Sequence, residues 1–327
     1  MIIVTGAAGF IASRLIQKLN QHGFKAIIAV DKFGQEAKEP NLEGLHIQQR
    51  VDRDELFGWI DEHQQELEFV FHLGARTDTT EFNMAVFQKL NTGYSKRVWE
   101  KCVQYQLPLV YASSAATYGN GELGYNDRTD PLLLQPLNPY GVSKNEFDKW
   151  VMGQTVKPFY WAGLKFFNVY GPQEYHKGRM ASVVYHAYRQ IQQTGCMKLF
   201  RSHHPRFGDG EQMRDFIYVN DLVEVMYFLM HHRKNSGLYN LGTGQARSFK
   251  DLASAVFAAL GSTPQIEYID TPSDIRSRYQ YFTEAKMERL RGIGYEKPFT
   301  SLEEGVYDYV TNFLQQSAEV QHSLAQG

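Results

Sequence analysis

Among the 20 tyrosines of the chain, only Tyr140 is followed four residues later by a lysine, Lys144. On a helix such a pair shares one face. The spacing matters because a phenol titrates near 10 and is a poor base at neutral pH. A lysine ammonium about 4 Å away, at an effective dielectric of about 20, favours the phenolate by about 4 kcal/mol. That brings its titration toward working pH. Ser114, in YASSAATYG at 111–119, could hydrogen-bond a substrate hydroxyl or ketone. A chance helix pair, with Ser113 and Ser114 in an ordinary loop, is the alternative for these residues taken alone.

A second basic group stands in GPQEYHKGRM at 171–180, where His176 and Lys177 lie between glycines. By itself Lys177 reads as a solvent-facing or phosphate-neutralising lysine. Two histidine pairs, His203-His204 and His231-His232, invite a metal site, but neither has companion ligands at a suitable spacing. They read as surface residues, and no metal is expected.

A third constellation opens the chain. In TGAAGFIA, Gly6, Gly9 and Ala12 form G-x-x-G-x-x-A directly after an apolar run and at the start of a helical pattern. Gly6 permits a tight turn, Gly9 lets backbone N–H groups approach a pyrophosphate, and a small third residue lets helix and strand pack closely. A glycine-rich turn without a ligand is the plainer alternative. Asp31 ends the next apolar run, where an acid can hold a ribose hydroxyl. Lys32, Lys38 and Arg53 follow it, and a 2′-phosphate needs such cations, so the cofactor expected is NADP, with NAD the alternative. A solvated basic surface would explain the same three residues.

These groups need rigid elements beneath them. MIIVT at 1–5, AIIAVD at 26–31, LEFVFHLGA at 67–75, LPLVYASSA at 107–115 and WAGLKFFNV at 161–169 read as buried strands. Helical spacing separates them at IASRLIQKLNQHG, from about Phe82 to Tyr105, and at 138–154. Strands alternating with helices predict an α/β fold with a doubly wound parallel sheet. The later stretches DFIYVNDLVEVMYFLMHH and LYNLGTGQARSFKDLASAVFAAL return to tidy patterning after a looser region, which suggests a second, smaller lobe built from insertions.

Bulk properties agree with a soluble enzyme: 327 residues, 43% hydrophobic, formal net charge −2. That balance gives no general attraction for nucleic acid or anionic membrane. The two cysteines, Cys102 and Cys196, have no CxxC partner and read as reduced thiols of a cytoplasmic protein. The opening residues do not read as a secretory signal, and no apolar run approaches the roughly 20 residues of a membrane span.

Taken as a set, Gly6-x-x-Gly9-x-x-Ala12, Ser114, Tyr140-x-x-x-Lys144, FFNVYGP, RDFIYVND and NLGTG resemble the extended short-chain dehydrogenase/reductases that act on nucleotide sugars. The resemblance covers nearly the whole chain. It implies a Rossmann lobe at 1–167 plus about 214–242 and an α/β substrate lobe at 168–213 plus about 243–327. Within that family, YASSAATYG, FFNVYGPQEYHKGRMASV and RSRYQ at 276–280 are similar to the branch that inverts C6 of ADP-linked heptoses for lipopolysaccharide cores. In that branch hydride leaves C6 to bound NADP, a 6-keto sugar forms, and hydride returns to the other face.

The resemblance implies Tyr140 and Lys177 as the two proton-transfer groups, Ser114 as a substrate hydrogen-bond donor, and Lys144 as charge partner of the tyrosine and cofactor contact. It implies Phe10, Ile11, Leu73, Gly74, Ala75, Asn91, Val169 and Lys177 along the cofactor. Asn168, Arg179, His186, Phe200, Arg214 and Tyr279 are implied along the substrate, an ADP-heptose. A homo-oligomer is implied as well. Arg179 in place of a small residue, Lys165 in place of arginine, and the long run RSHHPRFGDGEQM depart from the branch around the sugar. A nucleotide-sugar 4-epimerase or 4,6-dehydratase is the rival enzyme, although Ala115 and Ala116 stand where a dehydratase keeps acids. A silent NADP-binding scaffold would not need Tyr140 and Lys144.

Overall fold

The computed structural model describes residues 1–276 and 279–316. Ser277 and Arg278 of the RSRYQ stretch, and residues 317–327 of the expected second lobe, lie outside the described residues. In chain order the strands are β1 (Ile2–Thr5), β2 (Ile27–Asp31), β3 (Gln49–Asp52), β4 (Phe69–His72), β5 (Leu109–Ser114), β6 (Trp161–Phe166), β7 (Asn168–Tyr170), β8 (Met197–Phe200), β9 (Met213–Tyr218), β10 (Gly237–Leu241), β11 (Ala246–Ser248) and β12 (Ile266–Ile269). The helices that matter here are α1 (Phe10–Gln21), α2 (Leu56–His63), α3 (Met84–Phe87), α4 (Tyr94–Gln104), α5 (Pro139–Gly153), α6 (Val183–Thr194) and α7 (Val219–His231).

The chain divides into two compact units. The first comprises Met1–Phe167, Leu222–Leu241 and Lys286–Glu296. Its seven strands run in the order β10-β6-β5-β4-β1-β2-β3, and every neighbouring pair is parallel. This is the doubly wound arrangement, whose order reverses between β1 and β4, and ligands of such sheets bind outside the strand ends at that reversal. The strands read as continuous apolar runs because both faces are covered: Ile3, Val4, Ile28, Val30, Phe71 and Val110 are all fully buried.

Aromatic packing fixes α5, the helix of the Tyr–Lys pair, against this sheet. Phe147 of α5 meets Tyr111 of β5 at 4.9 Å and Trp99 of α4 at 6.5 Å, and Trp99 meets Trp161 of β6 at 5.4 Å. Asn138 caps α5 by accepting the Gly141 N–H at 2.8 Å, and Pro139 stands at the first helical position, where its missing N–H costs nothing.

The expected helix from Phe82 to Tyr105 is not uniform. Between α3 and α4 the backbone widens into a π-helical segment, Gln88–Gly93. The second unit comprises Asn168–Asp221, Gly242–Ala285 and the chain from Lys297. It holds a three-stranded sheet, β11-β9-β7, and a parallel pair, β12-β8. Two boundaries differ from the sequence reading. Residues 214–221 group with the second unit because β9 pairs with β7 and β11, and Lys286–Glu296 returns to the first.

His72 at the end of β4 went unremarked in the sequence. Its Nδ1 meets Thr5 Oγ1 at 2.7 Å and its Nε2 meets Ser95 Oγ at 2.8 Å, joining β1, β4 and α4. Burial, helped by the charge of Lys144, pushes its pKa from 6.5 down to about 3. An unfolded chain therefore takes up this proton first as pH falls. The stability His72 contributes is complete above about 6.5 and is lost as pH drops toward about 3. The loss amounts to roughly 1.4 kcal/mol for each pH unit crossed between those two values. In His72→Asn this loss is absent. The melting-temperature gap between wild type and variant should narrow as pH is lowered from about 7 to about 4. A gap of constant width would contradict the assignment.

Candidate active site

The turn after β1 is shaped by close backbone approach. Gly6 has φ +70°, and a Cβ there would lie 2.7 Å from the Gly74 Cα. A Cβ on Gly74 would in turn lie 3.0 Å from the Gly6 nitrogen. Each glycine thus makes room for the other, and the Gly74 N–H donates to Thr5 Oγ1 at 3.0 Å. Gly9 begins α1 without any side-chain cap, so the N-terminal amides of the helix are presented to the turn. Ala12 is buried, as the close helix–strand packing requires. A side chain at Gly6 would collide with the Gly74 backbone, and the uncapped amides at the start of α1 suit an anion such as a pyrophosphate. Phe10 is buried at the start of α1 and Ile11 is half-buried beside it.

The Asp31 carboxylate accepts the Ala8 N–H at 3.0 Å and the Lys32 N–H at 2.7 Å. It ties the glycine turn to the end of β2. Lys32 Nζ lies 3.0 Å from Asp52 and 3.4 Å from Asp54, and both carboxylates raise its pKa. The Arg53 N–H donates to the Asp31 carbonyl at 3.1 Å, and Lys38 precedes the short turn Glu39–Leu42. The structure thus gathers Asp31, Lys32 and Arg53 at one end of the sheet, with Lys32 already paired to acids.

Leu73, Gly74 and Ala75 follow β4, and Asn91 reaches this loop from the widened turn. Its Oδ1 accepts the Arg76 N–H at 2.8 Å, and its Nδ2 donates to the Arg76 carbonyl at 3.0 Å and to Ser143 Oγ at 2.9 Å. Ser143 donates onward to the Tyr140 carbonyl at 2.7 Å. Asn91 therefore links the loop after β4 to the first turn of α5, and the π-helical widening provides its position. Ser143 is a joint of the site that the sequence reading missed; its place three residues after Tyr140, on the same helix, was the available signal.

Tyr140 is hydrogen-bonded to Ser114 at the end of β5, and Ser114 Oγ also accepts the Ala116 N–H at 3.1 Å. The expected effect of Lys144 on the phenol is not found. Burial raises the Tyr140 pKa, and Ser114 is the group that draws it back. Lys144 Nζ instead donates to the Ala112 carbonyl at 2.7 Å. Its own pKa is pushed by burial down to about 8, with the Asp148 charge acting the other way. The i, i+4 spacing put the two groups on one face correctly, but the ammonium is drawn to the strand carbonyl.

Beneath them lies a charge pair hidden from the spacing arguments. Lys165 and Asp148 are both fully buried and 2.8 Å apart. Asp148 also accepts Ser113 Oγ at 2.7 Å and the Tyr111 hydroxyl at 3.0 Å, and Lys165 donates to Thr117 Oγ1 at 2.7 Å. Lys165 is thus a structural cation of the first unit. Its departure from the arginine pattern concerns the floor of β5, not a sugar contact. Each charge is paired and hydrogen-bonded, as burial demands.

Within the second unit, Phe200, Arg214 and Tyr279 come together. The Arg214 guanidinium lies 5.6 Å from the Tyr279 ring centre, and that ring meets Phe200 edge-on at 5.9 Å. Arg214 Nη1 donates to the Met213 carbonyl at 2.8 Å and Nη2 to the Gln280 carbonyl at 2.5 Å, which fixes its plane. The long run 201–213 is ordered by an aromatic cluster in which His204 meets Tyr281 at 5.0 Å and Phe207 at 5.4 Å. His204 is therefore a packed residue. His186 and Arg179 meet through the His186 ring and the Arg179 carbonyl at 3.4 Å, and both side chains are exposed. Asn168 donates to the Asp215 carbonyl at 3.1 Å. With Val169, Met180, Ser182 and Phe216 it borders a cavity of about 200 Å³. Lys177 lies in the turn Tyr175–Met180, where burial lowers its pKa and Glu174 acts in the opposite sense.

A glycine turn after β1 at the reversal of strand order and a tyrosine bonded to a serine at the end of β5 are the features of Rossmann-type enzymes that use a dinucleotide. Comparison with known proteins narrows the class. Residues 2–242 match the NAD dependent epimerase/dehydratase family, and the chain belongs to that family. It is 50% identical over 325 residues to the ADP-L-glycero-D-manno-heptose-6-epimerase of Fusobacterium nucleatum, covering 96% of this chain and 98% of the relative. The crystal structure of the Helicobacter pylori protein of the same name superposes with a TM-score of 0.79 at 28% identity, covering 95% of each chain. A Thermus thermophilus UDP-glucose 4-epimerase in complex with NAD superposes with a TM-score of 0.76 at 25% identity, covering 96% of this chain and 98% of that one. Among the described residues no helix is long and apolar enough to cross a membrane.

Proposed function

We propose that this chain interconverts ADP-D-glycero-D-manno-heptose and ADP-L-glycero-D-manno-heptose by transient oxidation at C6. One observation carries the reading. Besides Tyr140, the chain holds a second ionisable side chain, Lys177, on a glycine-flanked turn where burial lowers its pKa, and this supports a second proton-transfer role. Inverting a carbon through a ketone exposes both carbonyl faces in turn to one hydride donor. The oxygen then needs a proton-transfer group for each orientation. A dehydrogenase acting on one face needs only one.

Bound nicotinamide dinucleotide supplies the hydride acceptor and donor, and its oxidised ring adds positive charge to the site. The residues supply the rest. Ser114 donates to the sugar oxygen and holds the Tyr140 hydroxyl. Tyr140 exchanges a proton with that oxygen in one orientation, and Lys177 does so in the other. Lys144, whose pKa burial pushes down to about 8, ties α5 to β5 beside Tyr140 through the Ala112 carbonyl. Asn91 and Ser143 hold the first turn of α5 in place. Arg214 serves the diphosphate, since its planar fork suits paired oxygens.

In this reading the dinucleotide is NADP. Lys32 and Arg53 at the end of β2, with Lys38 at the turn Glu39–Leu42, would supply cationic charge for a 2′-phosphate, Lys32 on release from Asp52 and Asp54. Denaturing the purified protein and identifying the released dinucleotide tests this; recovery of NAD alone would refute it. Conversion is tested by incubating the holoenzyme with the D-glycero epimer in D₂O. NMR should show inversion at C6 without deuterium there. Loss of water with deuterium at C5, or an unchanged sugar, would point to the dehydratase or the scaffold instead.

A further inference from the structure

Glu174 lies three residues before Lys177 and is fully buried. Its carboxylate accepts the Ser182 N–H, the Ser182 hydroxyl at 2.7 Å and the Gly171 N–H at 3.3 Å. Its own carbonyl accepts the Lys177 N–H at 3.0 Å. One side chain thus ties the beginning of this loop to its end, where Ser182 caps α6. The loop needs such a fastening. Gln173 has φ +75°, a region that side-chain-bearing residues avoid, and Gly178 has φ +52° with ψ −127°. Conformations of this kind persist only where the surroundings over-determine them.

We propose that Glu174 is the positioning residue for Lys177: its carboxylate holds the 171–182 loop in one shape and sets a negative charge beside the lysine that governs when the ammonium gives up its proton. The proposal rests on the reading of Lys177 as a proton-transfer group. The three donors use both carboxylate oxygens, Oε1 for the Gly171 N–H and the Ser182 hydroxyl and Oε2 for the Ser182 N–H, so a carboxamide, with one oxygen, would not accept them all. Burial raises the pKa of the Glu174 carboxyl, and the Ser182 donors, the Lys177 charge and the Gly171 N–H draw it back; a buried charge needs such partners. Among the described residues, the other titratable group facing Glu174 is the Tyr309 hydroxyl, from the helix Leu302–Tyr309, with Tyr175 and Tyr185 next to it. Burial keeps that phenol protonated, so it does not compete for the role.

The test compares kcat/KM against pH for wild type and Glu174→Gln in both reaction directions, together with melting temperature and bound dinucleotide. Without the neighbouring negative charge the ammonium of Lys177 is less favoured. The limb governed by protonated Lys177 should move to lower pH by about one unit or more, with the dinucleotide still bound. Activity on the alkaline side should fall by about tenfold for each pH unit that the limb moves. A Glu174→Gln profile that superposes on wild type, or a loss of rate uniform across pH, would overturn the proposal. Should Glu174→Gln fail to fold, Glu174→Asp carries the test. It keeps the charge and shortens the reach, so it should melt earlier yet leave the limb in place; a displaced limb would overturn the proposal. Wild-type activity in Lys177→Ala would remove the underlying reading, whereas an inactive Lys177→Ala beside an unmoved Glu174→Gln limb would remove only this inference.

Discussion

Tyr140→Phe is expected to lower kcat by about 10²–10⁴-fold, the usual worth of a positioned acid–base group, while the protein keeps its fold and its dinucleotide. The change removes one oxygen and leaves the ring. The packing of α5 rests on Phe147 and its aromatic neighbours, and the cap of α5 on Asn138, so neither depends on the phenol hydroxyl. What is lost is the group bonded to Ser114. The more telling readout is the asymmetry between epimers. Each proton-transfer group removes the proton from one epimer when that epimer is oxidised and returns a proton to the same epimer when it is formed, the other group serving the other epimer. With one group missing, the remaining one still serves the first half-reaction of one epimer. Tyr140→Phe should therefore reduce its dinucleotide when mixed with one epimer and not with the other, and complete turnover should be slow with both. Turnover within about threefold of wild type would exclude a proton-transfer role of the size expected for such a group.

Lys177→Ala should show the complementary pattern. A loss of about 10²–10⁴-fold in kcat is again expected, and the epimer that reduces the dinucleotide should be the opposite one. The complementarity separates a second proton-transfer group from a phosphate-binding lysine. Removing a lysine that only neutralised phosphate would raise KM for both epimers alike and leave kcat largely intact. The variant also removes the cation acting on the buried Glu174 carboxylate, so its melting temperature is measured beside kcat, while that carboxylate still fastens the loop to Gly171 and Ser182. If both variants reduce the dinucleotide with the same epimer, the two-group account fails even when both are slow.

The parts of the site that follow from local spacing were legible in the sequence. The Gly6, Gly9 and Ala12 turn sits between a strand and a helix at the reversal of strand order, and Tyr140, Lys144 and Asn138 open one helix as their pattern requires. What local spacing does not give, even for residues the resemblance pointed to, is set by contacts between distant segments. Gly74 is needed as a glycine because Gly6 lies against it, which no local pattern reveals. Asn91 reaches Ser143 across 52 positions of sequence by way of a π-helical widening that helical periodicity cannot register. Lys165 and Asp148 read as a charged strand residue and a charged helix residue, yet both face inward because each supplies what the other needs. The pull of Lys144 on Tyr140 was overestimated for a related reason: spacing gives the face of a helix, not the carbonyl waiting opposite it. Placing 214–221 in the first unit failed because RDFIYVND continues into α7, whose later part belongs there, while β9 pairs within the second.

The central claim is that one hydrogen leaves C6 as hydride, stays with the dinucleotide and returns to the opposite face of the same carbon. It is tested most directly with ADP-D-glycero-D-manno-heptose carrying deuterium at C6, incubated with the holoenzyme in ordinary water and followed to equilibrium by NMR and mass spectrometry. The account predicts that the L-glycero product retains its deuterium at C6 in full, with none released to solvent. Washout of the label into water, or inversion of a carbon other than C6, would contradict it.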